Sequence, residues 1–411
     1  MALGEYVTTW SDRFAARARG DVGEGLASIL SLANVTDIIS FSGGFPDPAT
    51  FPGQVLADLL RELIGSGDAS AMQYAPTRGL PGVREYVASR LHRMEGVLPT
   101  DSELMITSGA IEAMELIGKS FLDPGDVVLV EGPTYLGAIM AFRSFQAEVT
   151  AISMDDGGLR VDMLEEVLSA RGGGRVKLLY AIPDHQNPAG VSLASDRREA
   201  LIGLARTHGF LIVEDVAYRE LGFDEERPPS LWSIGPDVVV QIGTFSKTFF
   251  PGVRLGWAAG PAEVVAQLVA AKQNTDQCAG ALGQRLLEEY GRRGHLDEQI
   301  VRARALYRRR CGALMQAMEE HMPEGVAWTR PRGGFFSWVT VNGTLDTAGL
   351  AERALAQRVA YVPGAAFFPD GRGGNRLRLA FSRVEDSAIP EGVKRLGMLI
   401  REALREEGPV R

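Results

Sequence analysis

The chain has 411 residues, enough for two or three domains around a large core. Hydrophobic residues make up 45% and charged residues 23%, the balance of a globular protein, and a net charge of −9 argues against nucleic acid as a partner, because phosphate backbones select basic surfaces. Two cysteines, Cys278 and Cys311, cannot build a disulfide framework, the first residues lack a basic stretch followed by an apolar one, and no run approaches the ~18 apolar residues of a membrane span, so a cytoplasmic protein is expected.

Residues 1–40 read as a polar helix followed by a short apolar strand, Asp37–Phe41, and then a Gly/Pro-rich loop, Ser42-Gly-Gly-Phe-Pro-Asp-Pro48. From about residue 100 to 260, short apolar runs recur at Leu104–Thr107, Val127–Val130, Val176–Ile182, Phe210–Val213 and Val238–Ile242. Helical patterns such as Arg197–Thr207 separate several of them. Strands apolar on both faces and alternating with helices predict an α/β fold: a mostly parallel central sheet flanked by helices. Past about 290 the texture changes to a charged helix, His295–Glu320, strands at Phe335–Val341 and Leu377–Phe381, and a last helix, Pro390–Glu406. The expected division is an N-terminal arm, 1–45, packing on a small α+β domain, 291–411, with a large domain, 46–290, between them in sequence.

Open α/β sheets bind ligands beyond the carboxyl ends of their strands, so polar residues just after apolar runs are the first candidates. In Thr107-Ser108-Gly109-Ala110, Ser108 or Thr107 suits a helix N-cap, and Gly109 lets a ligand approach the backbone. Free amides at that helix start can hold a phosphate, although an ordinary capped turn would look the same. Asn187 precedes a proline, which holds its backbone extended. Asp215 ends a very apolar run and needs a positive partner, either an arginine or a pyridinium N–H, whose ring would then act as an electron sink. Lys247 follows the Val238–Ile242 run, with Thr244, Ser246, Thr248 and Arg254 close by. That is the kit for a lysine holding an aldehyde cofactor through a Schiff base while neighbouring groups hold a phosphate, provided burial and nearby cations keep the amine partly neutral. The gaps Asn187 to Asp215 and Asp215 to Lys247 each hold about one helix and one strand, so all of these positions fall at strand ends of one sheet.

The ordered set Phe41-Ser-Gly-Gly-Phe-Pro, Gln73-Tyr-Ala-Pro-Thr-Arg-Gly79, Thr107-Ser-Gly-Ala, Gln186-Asn-Pro-Ala-Gly, Glu214-Asp-Val-Ala-Tyr-Arg-Glu-Leu221, Gly243-Thr-Phe-Ser-Lys-Thr and Arg378-Leu-Ala-Phe-Ser382 resembles the fold-type I pyridoxal-phosphate aminotransferases of class I/II. Within them it looks most like the 2-aminoadipate/kynurenine-type branch. The resemblance covers nearly the whole chain. It implies pyridoxal 5'-phosphate as cofactor, bound to Lys247, which would also move the proton between substrate α-carbon and cofactor. Asp215 would bind the pyridine nitrogen, Asn187 and Tyr218 the ring 3-oxygen, and Tyr135 would stack on the ring. Ser108, Gly109, Ala110, Ser246 and Arg254 would hold the phosphate, and Tyr74 would reach the phosphate of a neighbouring subunit, which implies a homodimer. Arg378 would pair with the substrate α-carboxylate, with Gly44 and Asn187 beside it. The implied reaction is transfer of an amino group from an L-α-amino acid (2-aminoadipate, aromatic or branched aliphatic) to a 2-oxo acid such as 2-oxoglutarate. The same scaffold also supports elimination, decarboxylation or oxidation and cyclisation of an amino acid.

His185 and Val216 depart from the family's usual residues, and His185 is expected to be a hydrogen-bonded loop residue. Gly118-Lys119-Ser120 invites a nucleotide-binding reading, but the phosphate loop's first glycine would fall at Ala113. The histidines and cysteines show no metal spacing. A transcription regulator with an aminotransferase-like domain is disfavoured by the acidic charge and by the early position of Ser42-Gly-Gly-Phe-Pro.

Overall fold

The computed structural model describes residues 10–18, 37–67, 69–171, 175–224 and 227–407. Its largest sheet has eight strands: β2 (Leu104–Thr107), β3 (Val127–Gly132), β4 (Glu148–Asp155), β5 (Gly158–Leu159), β6 (Val176–Ala181), β7 (Leu211–Asp215), β8 (Val239–Thr244) and β9 (Gly256–Ala259). Their spatial order is β2-β9-β8-β7-β6-β3-β4-β5. Strands β4, β3, β6, β7 and β8 run parallel; β9 is antiparallel to both its neighbours, and β5 to β4. The mostly parallel sheet expected from the apolar runs is therefore present.

Alternation explains why the parallel strands read as continuous apolar runs. Val128 and Val130 pack into the core on one side of the sheet, Val127 and Leu129 into the core on the other, and all four are completely buried. Three strands of this sheet, β4, the two-residue β5 and β9, escaped the sequence reading. β4 has exposed and half-buried positions rather than an apolar run. β9 is only Gly-Trp-Ala-Ala, and its first residue must be small, since a Cβ on Gly256 would come within 2.4 Å of the Gly243 carbonyl oxygen.

The second sheet is antiparallel and has the order β10 (Val326–Trp328), β11 (Phe336–Val341), β14 (Arg376–Ala380), β13 (Val362–Pro363). Helices His295–His321 and Ile389–Glu407 belong to this part, close to their expected bounds. The chain near its N-terminal end joins it: β1 (Ile39–Ser40) pairs in parallel with β12 (Val359–Ala360). Phe41 is fully buried, its amide donates to Ala360 O at 2.7 Å, and its carbonyl accepts from Ala380 N at 2.8 Å. Asp47 then pairs with Arg310 of the long helix at 2.5 Å. Of the polar helix expected over residues 1–40, short 3-10 turns at Trp10–Arg13 and Ala16–Ala18 are seen; residues 1–9 and 19–36 lie outside the described residues.

The Gly118-Lys119-Ser120 tripeptide lies within helix Ala110–Phe121. Gly118 is a packing residue, since a Cβ there would meet the Phe145 ring at 2.5 Å, and Ser120 Oγ donates to Leu116 O at 2.7 Å. Among the described residues, no helix is long and apolar enough to cross a membrane.

Candidate active site

A cavity of about 460 Å³ opens at the carboxyl ends of the large sheet, under Phe336, Phe367 and Arg378 of the small part. The strand ends and the loops after them supply its polar residues. β7 delivers Asp215, the loop after β6 delivers Asn187, and the turn after β8 delivers Ser246 and Lys247. The segment after β3 brings Tyr135, the helix after β2 begins at Ala110, and the loop after β1 brings Gly44. Tyr218 and Arg254 complete the set.

Lys247 Nζ donates to the Gly44 carbonyl at 2.9 Å and lies 5.9 Å from the centre of the Phe335 ring. Burial, helped by the Arg378 and Arg254 charges, pulls its amine down to about 8; Asp215 opposes the shift. This is the partly neutral amine that capture of an aldehyde requires.

Asp215 is buried, with two fixed donors: Tyr180 Oη at 2.7 Å and the Ala217 amide at 3.0 Å. Burial nevertheless holds its carboxyl above the ordinary range, which marks a site that wants a cation facing it. Tyr180 was not singled out from the sequence. In the register of β6 and β7, Tyr180 lies opposite Val213, two residues before Asp215, so both side chains share one face. Its signal was a hydroxyl in a strand that is aliphatic apart from Lys177, where a buried hydroxyl must find a partner.

Arg378 is buried between the rings of Phe336 and Phe367, with its guanidinium carbon 4.4 and 4.8 Å from their centres. Nη1 donates to Asn187 Oδ1 at 2.9 Å and Nη2 to Ser42 O at 2.6 Å, while the buried Nε has no hydrogen-bond partner. Burial lowers the guanidinium to about 10, so it stays charged at neutral pH. Because Asn187 spends its oxygen on Arg378, its amide nitrogen is left to donate. Gly44 can be nothing larger here, since a Cβ would come within 2.6 Å of Phe336 Cζ.

Opposite Arg378, Arg254 Nη1 donates to Ser246 Oγ at 3.2 Å, and its backbone adopts a left-handed φ of 50°. Gly109 has φ 99°, and a Cβ there would meet Arg254 Nη2 at 2.8 Å, so only glycine leaves the guanidinium in place. Gly109 itself is the N-cap of helix Ala110–Phe121, which corrects the expectation of a Ser108 or Thr107 cap. Both hydroxyls are engaged elsewhere: Thr107 Oγ1 donates to Gly109 O at 3.1 Å and Ser108 Oγ to Asp276 Oδ2 at 2.7 Å. The first amides of the helix have no partner inside it and remain available to an anion.

Of the expected site residues, only Ser108, Gly109 and Tyr74 do not line the cavity; the first two lie directly behind it, beside Arg254. Tyr74 is 76% exposed. His185 also differs from expectation. Its backbone amide makes the hydrogen bond, to Ser192 Oγ at 3.0 Å, while the ring Nδ1 is buried without a partner and burial lowers the imidazole to about 4. Gly222 and Gly333 pack against that ring, so it acts as a neutral filler.

An aldehyde, a basic ring nitrogen and a phosphate are the three groups that this donor set can take, at Lys247, at Asp215 and at the Ser246–Arg254–helix start respectively. Pyridoxal 5'-phosphate carries all three. The known proteins agree. Residues 36–396 match the family model for class I and II aminotransferases. The chain is 38% identical to aromatic-amino-acid aminotransferase 1 of Thermococcus litoralis, over 96% of this chain and 95% of that one. It is 37% identical to the 2-aminoadipate transaminase of Thermus thermophilus, over 96% and 98% of the two chains. It superposes with a TM-score of 0.89 on the crystal structure of LysN, the α-aminoadipate aminotransferase of Thermus thermophilus complexed with N-(5'-phosphopyridoxyl)-L-leucine, at 36% identity over 97% of this chain and 100% of that one. With a lysine, a carboxylate and a phosphate cradle meeting in one cavity of the same fold, the chain belongs to the class I and II aminotransferases, pyridoxal-phosphate enzymes of fold type I.

Proposed function

We propose that the enzyme moves the amino group of an aromatic or branched aliphatic L-amino acid, or of 2-aminoadipate, to 2-oxoglutarate, working in the cytoplasm as a homodimer. The observation that carries this reading is the meeting of the Lys247 amine, the Asp215 carboxylate and the Arg378 guanidinium in one cavity. When bound, pyridoxal phosphate supplies an aldehyde for the amine and a ring that accepts electrons from the α-carbon. The residues of the chain do the rest. Arg378, fixed by Asn187 and Ser42 and with Nε unpaired, takes the α-carboxylate and so fixes the α-carbon. Lys247 takes the α-proton and returns it on the cofactor side. Asp215 holds the proton on the ring nitrogen. Tyr135 would cover one face of the ring, and Asn187 and Tyr218 would donate to its oxygen. A large domain, 46–290, would carry Lys247, Asp215, Tyr135, Asn187 and Tyr218, while a small domain, 291–411, would supply Arg378, and the arm, 1–45, Ser42 and Gly44, from the other side of the substrate.

Phe336 and Phe367 flank Arg378, and Phe45, Ile111 and Leu136 add apolar wall elsewhere in the cavity. Among the described residues, the only cations lining the cavity are Lys247, Arg254 and Arg378, all with assigned partners or roles. That favours aromatic and aliphatic donors. A half-reaction screen tests the reading: the holoenzyme is mixed with single amino acids and loss of the lysine-bound cofactor absorbance is followed. Phenylalanine, tyrosine and leucine should convert the cofactor to its amino form, and 2-oxoglutarate should reverse it. An enzyme whose cofactor no amino acid converts would end the proposal.

Tyr74 supports the dimer, because a tyrosine 76% exposed, with Met72 67% exposed two residues away, suits a surface that a second copy covers. Placing Tyr74 on the partner's phosphate gives a sharp expectation. Tyr74→Ala should weaken cofactor binding on the order of tenfold, through loss of one hydrogen bond to a charged group. Mixed with an inactive Lys247 variant, it should regain activity, because one site of the mixed dimer then has both the lysine and the partner's tyrosine. Mixed dimers that gain nothing over Tyr74→Ala would show that Tyr74 serves its own subunit, and a Tyr74→Ala enzyme that binds cofactor as wild type does would show that it serves neither.

A further inference from the structure

Behind the phosphate cradle lies a charge cluster to which neither the family resemblance nor the proposed reaction gives a role. Lys272, in helix Ala262–Gln273, is completely buried. Its Nζ meets both oxygens of Glu112 at 2.6 and 2.7 Å and both of Asp276 at 2.7 and 2.8 Å. Those two carboxylates hold Ser108: Glu112 Oε2 accepts its amide at 2.6 Å and Asp276 Oδ2 its hydroxyl at 2.7 Å. The Ser108 carbonyl in turn accepts from Arg254 Nη2 at 3.5 Å. The Lys272 carbonyl also organises the turn that carries Asp276, accepting the amides of Thr275, Asp276 and Gln277 at 2.9, 3.2 and 3.1 Å. The other cation facing the cluster, Lys119, is turned to Ala271 O and Thr275 Oγ1 at 3.4 and 3.2 Å.

The arrangement is electrostatically odd for a place that is to hold a phosphate. A helix start attracts anions, yet here two carboxylates flank it. With Lys272 the ionised cluster carries a net charge of −1; without it the charge is −2, beside a dianionic ligand, with the Glu112 carboxylate largely shielded from water and that of Asp276 partly so, so the like charges repel. The carboxylates are kept because they grip Ser108 at two points and, through its carbonyl, steady Arg254; the lysine makes that grip compatible with a phosphate.

We propose that Lys272 is a positioning residue for the cofactor phosphate: it neutralises and orients Glu112 and Asp276, which hold Ser108 and thereby Arg254. The inference rests on the proposed function, with the cofactor phosphate held by Ser246, Arg254 and the start of helix Ala110–Phe121. The role lies in affinity for the phosphate, not in the chemistry at Lys247.

The test compares binding of pyridoxal phosphate and of unphosphorylated pyridoxal to the full chain, followed by absorbance of the lysine-bound aldehyde, at alkaline pH where neither carboxyl can shed its charge by taking up a proton. Wild type should strongly prefer the phosphorylated form. Lys272→Met should lose on the order of ten- to a hundredfold in affinity for pyridoxal phosphate, as expected when a buried charge loses its partner, and little for pyridoxal. Lys272→Met with Asp276→Asn restores the net charge of −1 and should regain most of the loss, which a purely structural defect would not. A Lys272→Met enzyme that keeps its phosphate preference, that weakens equally for both ligands, or that Asp276→Asn fails to rescue would overturn this inference alone. A wild-type enzyme with no preference for the phosphorylated form would overturn the cradle and this inference with it.

Discussion

Lys247→Ala is expected to lower transamination by at least about 10⁴-fold, because it removes both the covalent anchor and the group that moves the α-proton. The cofactor should still bind through Arg254, Ser246 and the helix start, but without the lysine-bound absorbance. The same amine sets a pH dependence. Its value is lowered to about 8, chiefly by burial and then by Arg378 and Arg254. Below that pH it is an ammonium and cannot attack an aldehyde; above it the neutral amine dominates. Capture of added pyridoxal phosphate by the full chain should therefore quicken as pH rises through about 8 and level off beyond it. Stopped-flow absorbance across that range checks the sign. Near-normal turnover in Lys247→Ala, or capture that slows as pH rises, would remove Lys247 from its role.

Asp215→Asn should lower kcat by about 10³-fold while leaving the cofactor bound, the size of loss seen when a charge aimed at the reacting centre is neutralised. The substitution is nearly isosteric: the amide oxygen can still accept from the Ala217 amide, and the amide nitrogen, in place of the other oxygen, can donate to the Tyr180 hydroxyl. What disappears is the negative charge that keeps a proton on the ring nitrogen and so lets the ring accept electrons. Stability gives a second readout. Burial raises the Asp215 carboxyl, so in the fold its ionised form is disfavoured relative to the unfolded chain. Above the ordinary carboxylate range, that group therefore costs stability until a cation faces it. The cofactor-free Asp215→Asn protein should thus melt no lower than wild type at neutral pH, while gaining less on cofactor addition. A variant with unchanged kcat would dissociate Asp215 from the ring nitrogen.

The parts of the site that the sequence made legible share one property. Lys247, Asp215, Asn187 and Ala110 follow apolar runs, so the rule that ligands meet strand ends singles them out without knowledge of the fold. Arg378 lies within strand β14 instead, and only the family resemblance reached it. The walls were not legible at all. Phe336 and Phe367 are ordinary core aromatics until the small part folds over the large sheet, and Tyr180 looks like one more apolar residue until register sets it beside Asp215. The Ser108 cap failed for a related reason. Local propensity favours a serine N-cap, but Glu112 and Asp276, the latter from a distant turn, outbid the helix for its amide and hydroxyl.

The pairing of Ile39–Ser40 with Val359–Ala360 has a consequence for how the enzyme comes into being. The Gly44 carbonyl that receives the Lys247 amine belongs to a segment docked on strands encoded more than three hundred residues later. On the ribosome that segment must wait, since closing so long a loop is impossible until the partner strands exist. The lysine and its aspartate can be in place on a partly made chain, yet the floor beneath the amine and the Arg378 clamp cannot. Synthesis thus delivers an enzyme whose pocket is assembled last, by joining segments far apart in the chain, so a nascent fragment offers the reactive aldehyde no finished pocket.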